Sequence, residues 1–232
     1  MNGILLVDKP VGISSFGVVA KVRGIWRAQL REQGISVKKA KVGHTGTLDP
    51  MASGLMILVL GEYCKRAAEF SKLDKTYEVE MTLGQTSTTG DQEGEKTHVS
   101  DAEPTLEEIQ LVLESFVGEQ QQIPPIYSAI KVNGQRAYDL ARKGKEVVME
   151  PRTVTIYALE GVSYNYPIVK FTVDVSSGTY IRSLTEDIGK KLATGAYMSN
   201  LRRTKISNFA IEQALSMEKL SLQTILDHLQ SV

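Results

Sequence analysis

The chain has 232 residues, of which 42% are hydrophobic and 23% charged, and 27 Lys and Arg residues balance 27 Asp and Glu residues. This composition excludes disordered, collagen-like and disulfide-rich proteins and is sufficient for a buried core. Cys64 is the one cysteine, so no internal disulfide can form, and the longest apolar run, residues 55–60, is far shorter than the roughly 20 residues that cross a bilayer. Because the start shows no signal-peptide pattern, we expect a cytoplasmic protein without a membrane span.

Hydrophobic periodicity predicts strands and helices along the whole chain. Strands are predicted at 4–7, 55–60, 76–83, 127–132, 154–164 and 168–175. Helices are predicted from Ser14 or Ser15 to Trp26, and at 106–116, 137–142, 181–192 and 222–229. The polar residues 27–41 and the acidic residues 84–101 are expected to be loops. This order predicts an α/β (α+β) fold, and the absence of a linker predicts a single domain, 1–232, that can carry lobes.

The charged residues are unevenly distributed although their sum is zero. Basic residues cluster at 38–41, 142–145 and 202–205, whereas residues 91–103 are rich in acids. Such clusters are usually solvated surface, but separate basic patches can also steer a polyanion such as RNA. The charge pattern alone leaves both interpretations open.

The usual sequence signals for metals and nucleotide cofactors are missing. The three histidines, His44, His98 and His228, are far apart, and neither a CxxC nor an HExxH motif occurs. No P-loop or G-x-G-x-x-G fingerprint follows a predicted strand. We therefore expect no metal and no cofactor.

The most unusual segment is the glycine-rich loop, residues 43–54, with the sequence GHTGTLDPMASG. It lies directly before a predicted buried strand, where a rigid sheet can fix a loop and let its backbone approach a ligand. Asp49 is the acid in this loop. From the residues alone, Asp49 can be either part of a site or a cap in a structural turn.

This loop resembles the catalytic motif of the TruB family of tRNA pseudouridine synthases. Five further segments resemble the same family in the same order: GILLVDKP at 3–10, DKTY at 74–77, PPIYSAIK at 124–131, GTYIR at 178–182 and LRR at 201–203. The resemblance implies the pseudouridine synthase catalytic fold, with a mixed, largely antiparallel central sheet flanked by helices. Residues 27–41 are longer than expected before the catalytic loop, and no C-terminal PUA domain is evident.

The resemblance also implies an activity, the isomerisation of a uridine in the T loop of tRNA (position 55) to pseudouridine. Asp49 is then the nucleophile, Arg182 its charge partner, and Tyr77 the ring that stacks on the flipped-out base. The substrate-binding residues that the resemblance implies are His44, Tyr180, Leu201, Lys9, Lys131, Arg202 and Arg203. No metal or cofactor is implied, the partner is the T arm of tRNA, and we expect a monomer.

Each of these assignments has an alternative at this stage. Tyrosine on an apolar strand face is usually core, and arginine in a first helical turn is usually solvated. The chain could also be a noncatalytic RNA-binding module or RNA chaperone, or a glycoside hydrolase that pairs Asp49 with a second acid. The sequence does not decide whether Asp49 attacks the ribose or the base, or promotes a glycal route.

Overall fold

The structure is a computed structural model, and it describes residues 1–126, 128, 131–132, 134–137, 140 and 147–231. The predicted strand at 127–132 and the predicted helix at 137–142 lie largely outside the described residues. The chain divides into two compact units, the first formed by residues 1–77 with 202–232 and the second by residues 78–201.

Strands are more numerous than helices in the described part of the chain. The α-helices are α1 (Ser15–Glu32), α2 (Ala67–Ser71), α3 (Leu106–Glu114), α4 (Ile181–Lys191) and α5 (Leu222–His228). The strands are β1 (Gly3–Lys9), β2 (Val42–His44), β3 (Ser53–Leu60), β4 (Lys75–Leu83), β5 (Gln85–Ser87), β6 (Lys96–His98), β7 (Gly118–Gln122), β8 (Lys131–Val132), β9 (Gln135–Arg136), β10 (Arg152–Asn165), β11 (Ile168–Val175), β12 (Ala196–Ile206), β13 (Phe209–Ala210) and β14 (Leu215–Ser216).

The first unit is built on β3, the buried apolar strand that the sequence predicts. β1 runs antiparallel to it, from the pair Gly3 and Leu60 to the pair Lys9 and Gly54. β12 lies parallel to the start of β3, β14 lies parallel to β1, and β2 pairs with the far end of β3. The side chains of β3 are almost all buried, and three of them, Leu55, Ile57 and Val59, pack in one core cluster with Ile4 and Leu6 of β1.

Helix α1 begins where the sequence predicts and ends later than expected. Ser14 is its N-cap, because the Ser14 Oγ accepts a hydrogen bond from the Gly17 N–H at 3.0 Å. The prediction of a loop at 27–41 is wrong for its first part, since α1 continues to Glu32 and buries Leu30. In residues 27–32 only Leu30 is large and apolar, so no hydrophobic period is visible there. The other residues are good helix formers, and their intrinsic propensity favours the helix.

The second unit contains the long strand β10 between β11 and β7, with both pairs antiparallel. Thr105 and Glu108 form the predicted capping box of α3. The expected loop at 84–101 is corrected by the structure, because β5 and β6 form an antiparallel pair within it. Each of these two strands has only three residues, and all of them are polar. The sequence therefore shows no hydrophobic alternation there.

The two units together confirm the predicted fold class. The strand pairs in the second unit that are built from β7, β10 and β11 are antiparallel, and the first unit combines antiparallel and parallel pairs. Helices accompany the sheet strands in both units. This is a mixed, mostly antiparallel α/β architecture.

Gly54 is where β3 and β12 approach most closely. It has a φ of +111°, and a Cβ built there would lie 2.3 Å from the Arg203 carbonyl oxygen and 2.6 Å from its nitrogen. Backbone atoms cannot move aside as a flexible side chain can. Glycine is therefore required for the parallel pairing of Arg203 with Gly54.

We predict that Gly54→Ala lowers the free energy of unfolding by about 2 kcal/mol or more, because it adds both a backbone clash and positive-φ strain. Gly24→Ala is the matched control, since Gly24 lies in α1 and its added Cβ meets nothing within 4 Å. Gly24→Ala should stabilise the protein by about 0.5–1 kcal/mol. Urea unfolding of both variants measures the contrast, and equal effects would contradict it.

Candidate active site

The glycine-rich loop is fixed on both sides of Asp49. On one side, the buried Ser15 hydroxyl donates to the Leu48 carbonyl at 2.7 Å and accepts from the Leu48 N–H at 2.8 Å. On the other side, the Pro50 carbonyl accepts from the Gly12 N–H at 2.8 Å. The Asp49 carbonyl itself accepts from the Ala52 N–H at 3.1 Å. The backbone around Asp49 is therefore anchored to the N-terminus of α1 and to the turn before it.

Lys9 lies beneath this loop and is completely buried. Its ammonium donates to the carbonyls of Ile13 at 2.7 Å, Pro10 at 3.0 Å and Pro50 at 3.4 Å. Burial lowers the pKa of Lys9 to about 8, the Asp49 charge opposes this shift, and the Arg203 charge adds to it. In this position Lys9 holds the loop and the turn that supports it.

Arg203, on β12, also holds the glycine-rich loop. Its side chain is buried, with Nε donating to the Leu55 carbonyl at 2.7 Å and Nη2 to the Gly46 carbonyl at 3.1 Å. Arg202, the neighbouring residue on β12, forms a bidentate pair with Asp8, with contacts of 2.9 and 3.3 Å. Arg202 remains about one-third exposed, whereas Arg203 is enclosed.

His44 and Tyr77 also belong to the first unit. His44 is half-buried on β2, and its Nδ1 is buried without a hydrogen-bond partner among the described residues. Burial, and then the Arg203 charge, lowers the pKa of His44, so the imidazole is neutral near pH 7. Tyr77 lies on the buried face of β4, as its alternation predicts.

Arg182 lies in the second unit, in the first turn of α4, and is 7% exposed. Its burial excludes the alternative of a solvated helix residue. The Arg182 Nη1 donates to the Thr89 carbonyl at 3.2 Å and lies 3.7 Å from the Asp91 carboxylate. Asp91 in turn accepts from the Thr89 hydroxyl at 2.5 Å and from the Glu93 N–H at 3.0 Å.

Tyr180 precedes Arg182 at the N-terminus of α4. The Gln122 side chain at the end of β7 fixes its backbone, accepting from the Tyr180 N–H at 2.8 Å and donating to the Tyr180 carbonyl at 3.0 Å. Leu201 is buried on β12. Lys131 begins the short strand β8.

Three residues of these networks were not singled out from the sequence. Ser15 appeared only as a possible helix cap, Asp91 as part of a solvated acidic loop, and Gln122 in no predicted element. The one further signal for Ser15 was its position shortly after the family-like segment at 3–10. The contacts of Asp91 with Arg182 and of Gln122 with Tyr180 gave no local signal, because these partners are distant in sequence.

Two features of other functional classes are not found in the described part of the chain. No group of three or more His, Cys, Asp or Glu side chains there is placed to hold a metal ion. Among the same residues, no helix has the length and apolar character needed to cross a membrane.

Two family models match the chain in succession. The model described as "TruB family pseudouridylate synthase (N terminal domain)" matches residues 34–181. The model described as "tRNA pseudouridylate synthase B C-terminal domain" matches residues 182–230. Together they include both Asp49 and Arg182.

Similar proteins agree with this match. The chain is 42% identical over all of its 232 residues to a tRNA pseudouridine synthase B of Clostridium novyi, 76% of whose length is covered. It is 43% identical over 97% of its length to the tRNA pseudouridine synthase B of Burkholderia mallei, 70% of whose length is covered.

Among solved structures, a chain of a Cbf5-Nop10-Gar1 complex is similar, with a TM-score of 0.71 and 30% identity over 94% of the present chain. A chain of an H/ACA RNP bound to a substrate RNA containing 2'-deoxyuridine has a TM-score of 0.67 and 27% identity. The present chain spans about half the length of these two solved chains, 53% and 52%.

We predict that Lys9→Met destabilises the protein by about 1–3 kcal/mol, because three carbonyls lose a buried donor. A pH series tests the lowered pKa. Between pH 8 and 10.5 the unfolded lysine keeps a proton that the folded lysine has lost, so the contribution of Lys9 to the free energy of unfolding increases with pH.

The measurement is urea unfolding followed by the fluorescence of Trp26, the one tryptophan. The stability advantage of the unsubstituted protein over Lys9→Met should grow from pH 8 to pH 10. A constant difference over that range would show that the pKa of Lys9 is not lowered.

Proposed function

Because the chain belongs to the TruB family of pseudouridine synthases, we propose that it converts the T-loop uridine of tRNA at position 55 to pseudouridine. The observation that carries the proposal is the glycine-rich loop. It bears the family's aspartate at Asp49, and hydrogen bonds hold its backbone on both sides of that residue.

The reaction isomerises the nucleoside without loss of atoms. The N-glycosidic bond between ribose C1' and the uracil nitrogen breaks, the uracil rotates, and a bond forms between C1' and C5. The proton on C5 is released, and the nitrogen that left the sugar takes up a proton. The enzyme must therefore hold the detached base, stabilise the opened intermediate and move one proton.

Asp49 is the proposed nucleophile. A carboxylate can add to the ribose or the base and leave again, or it can assist a glycal route, and the choice stays open. A fixed loop favours any of these routes, because the carboxylate is already oriented before RNA binds. The nearby ammonium of Lys9 provides positive charge on the protein side of the loop.

The base is proposed to leave its stack and enter the site, at an unstacking cost of a few kcal/mol. Tyr77 would stack on the extruded uracil and is a candidate for handling the C5 proton. His44 would help to hold the extruded nucleotide, and a neutral imidazole with an unpartnered Nδ1 is suited to hydrogen bonding with it. Tyr180 and Leu201 would shape the pocket.

Arg182 is proposed, on the family resemblance, as the charge partner of the Asp49 carboxylate. Its burial supports a function other than solvation, and its contacts with Thr89 and Asp91 restrict the orientation of its guanidinium. A planar, fixed guanidinium can hold a carboxylate in a defined geometry.

The RNA contacts proposed from the sequence now differ in their support. Arg202 is partly exposed and can reach phosphate, and Lys131 stays a prediction. Lys9 and Arg203 are buried and bonded to backbone carbonyls, so for these two we propose a loop-positioning role instead. Because the proposed substrate is tRNA, we propose a cytoplasmic location. That the protein is a monomer and that residues 1–232 form a single catalytic domain stay predictions.

We expect an isolated T-arm hairpin to be a substrate, because the fold of the arm and one extruded base carry most of the recognition. A pseudouridine-specific chemical label measures conversion of the T-loop uridine in full tRNA and in the hairpin. A scrambled loop should stay unmodified even at low salt, where electrostatic attraction is strongest. RNA binding without any conversion would instead support a noncatalytic RNA-binding protein, and conversion of full tRNA alone would locate essential contacts elsewhere.

Asp49→Asn should abolish conversion, with a loss of at least about 10³-fold and hairpin affinity within a few-fold of the unsubstituted protein, because it removes the nucleophilic charge at nearly constant shape. Asp227→Asn is the matched control, an exposed carboxylate in the same unit and outside the family-like segments. Its rate should stay within twofold. Substantial turnover by Asp49→Asn under single-turnover conditions would reject the nucleophile assignment.

A further inference from the structure

The two units carry opposite net charges, which cancel in the chain as a whole. Residues 1–77 with 202–232 contain 16 Lys and Arg against 9 Asp and Glu, a charge of +7. Residues 78–201 contain 11 Lys and Arg against 18 Asp and Glu, a charge of −7. Long-range attraction for RNA therefore comes from the first unit.

Segment 16–41 carries a large share of this positive charge. It contains 7 Lys and Arg residues, and Glu32 is its one acid. Arg23, Arg27 and Arg31 are spaced by four residues and so lie along one side of α1, with Phe16 seven residues before Arg23 on the same side. We call these four residues the α1 stripe. At a rise of 1.5 Å per residue, the α1 stripe is about 22 Å long.

The α1 stripe presents an aromatic ring and charge to solvent. Phe16 is 62% exposed although it is large and apolar. The Arg23 guanidinium lies over the Phe16 ring, 5.2 Å from its centre. An exposed ring beside arginine is the combination that proteins use to stack nucleobases along a bound strand.

A second basic group adjoins the α1 stripe. Lys38, Lys39 and Lys41, the lysine cluster, are exposed in the segment that leads from α1 into β2. The Arg23 Nη2 lies 3.5 Å from the carbonyl oxygen of Val42, the residue that follows Lys41. Lys41, the last residue of the lysine cluster, is therefore next in sequence to a residue that contacts Arg23, in the middle of the α1 stripe.

These six cations are available to an external anion. In the part of the chain that the structure describes, none of them lies within salt-bridge distance of a carboxylate. The nearby acids Glu62 and Glu69 pair with Lys65 and Arg66. The Arg27 Nε is also buried without a hydrogen-bond partner among the described residues.

The α1 stripe starts at the glycine-rich loop. Phe16 follows Ser15, whose hydroxyl makes both hydrogen bonds to the Leu48 backbone, one residue before Asp49. From there α1 continues past β2, because the Arg23 Nη2 lies 3.5 Å from the carbonyl oxygen of Val42, which precedes the first loop residue, Gly43. An RNA strand with one nucleotide at Asp49 would meet the α1 stripe first at Phe16.

We propose that the α1 stripe and the lysine cluster form a track for the RNA backbone, which binds the arm that carries the target uridine over about 20 Å along α1. This inference rests on the proposed function. It assigns a binding role to segment 27–41, for which the family resemblance implies none.

The test compares two double variants with equal loss of charge. Lys38→Ala with Lys39→Ala removes part of the lysine cluster, whereas Lys72→Ala with Lys219→Ala removes two exposed lysines elsewhere in the same unit. Binding of a T-arm hairpin is measured by fluorescence anisotropy between 50 and about 300 mM salt. Conversion rates at saturating hairpin are measured in parallel.

The Lys38/Lys39 variant should bind the hairpin about tenfold more weakly at low salt, with a rate at saturation within twofold of the unsubstituted protein. The slope of log affinity against log salt should fall by about 1–2, since each lost phosphate contact removes roughly 0.7–0.9. The Lys72/Lys219 variant should change affinity less than threefold.

Equal effects of the two double variants would overturn the track, because general charge would then explain the binding. A loss seen with full tRNA but not with the hairpin would overturn it as well, since the track would then contact another part of the tRNA. Absence of conversion by the unsubstituted protein would reject the proposed function, while the anisotropy comparison would still decide the track.

Discussion

Two buried cations, Lys9 and Arg203, hold the backbone of the loop that carries Asp49. Lys9 donates from the end of β1 and Arg203 from β12, and the strand between them is β3, which continues the loop. Burial of a charge is costly unless hydrogen bonds replace its hydration, and backbone carbonyls provide that replacement here. The position of the glycine-rich loop therefore depends on the pairing of three strands and on the closeness that Gly54 permits.

In this arrangement the two cations support the loop through its backbone. Both cations are buried and donate to carbonyls, so their charge fixes the backbone of the loop that carries Asp49. Burial lowers the pKa of Lys9, because the charged form has lost its hydration. In the second unit, Arg182 is oriented in a similar way, by the Thr89 carbonyl and the Asp91 carboxylate. Preorganisation of this kind removes reorientation from the reaction step.

The distribution of charge complements the local geometry. A protein with no net charge has no general attraction for RNA, but its first unit carries a charge of +7 and its second a charge of −7, so any electrostatic attraction of a polyanion would be to the first unit. Helix α1, which carries the α1 stripe, begins beside the glycine-rich loop. Attraction and orientation would thus come from the same element, α1, through Ser15 at its start and the α1 stripe along its length.

The sequence by itself determined the features that depend on near neighbours: the Ser14 cap, the capping box at Thr105, the buried run of β3 and the alternation that puts Tyr77 on a buried face. It also marked the glycine-rich loop, because its residues are contiguous. Only the tertiary structure decided that Asp91 lies near Arg182, that Gln122 holds the Tyr180 backbone and that Lys9 reaches Pro50, since these contacts join distant segments. The short strands β5 and β7 were missed for the same reason. Their polar residues carry no hydrophobic period, and they become strands only when partner strands accept their hydrogen bonds.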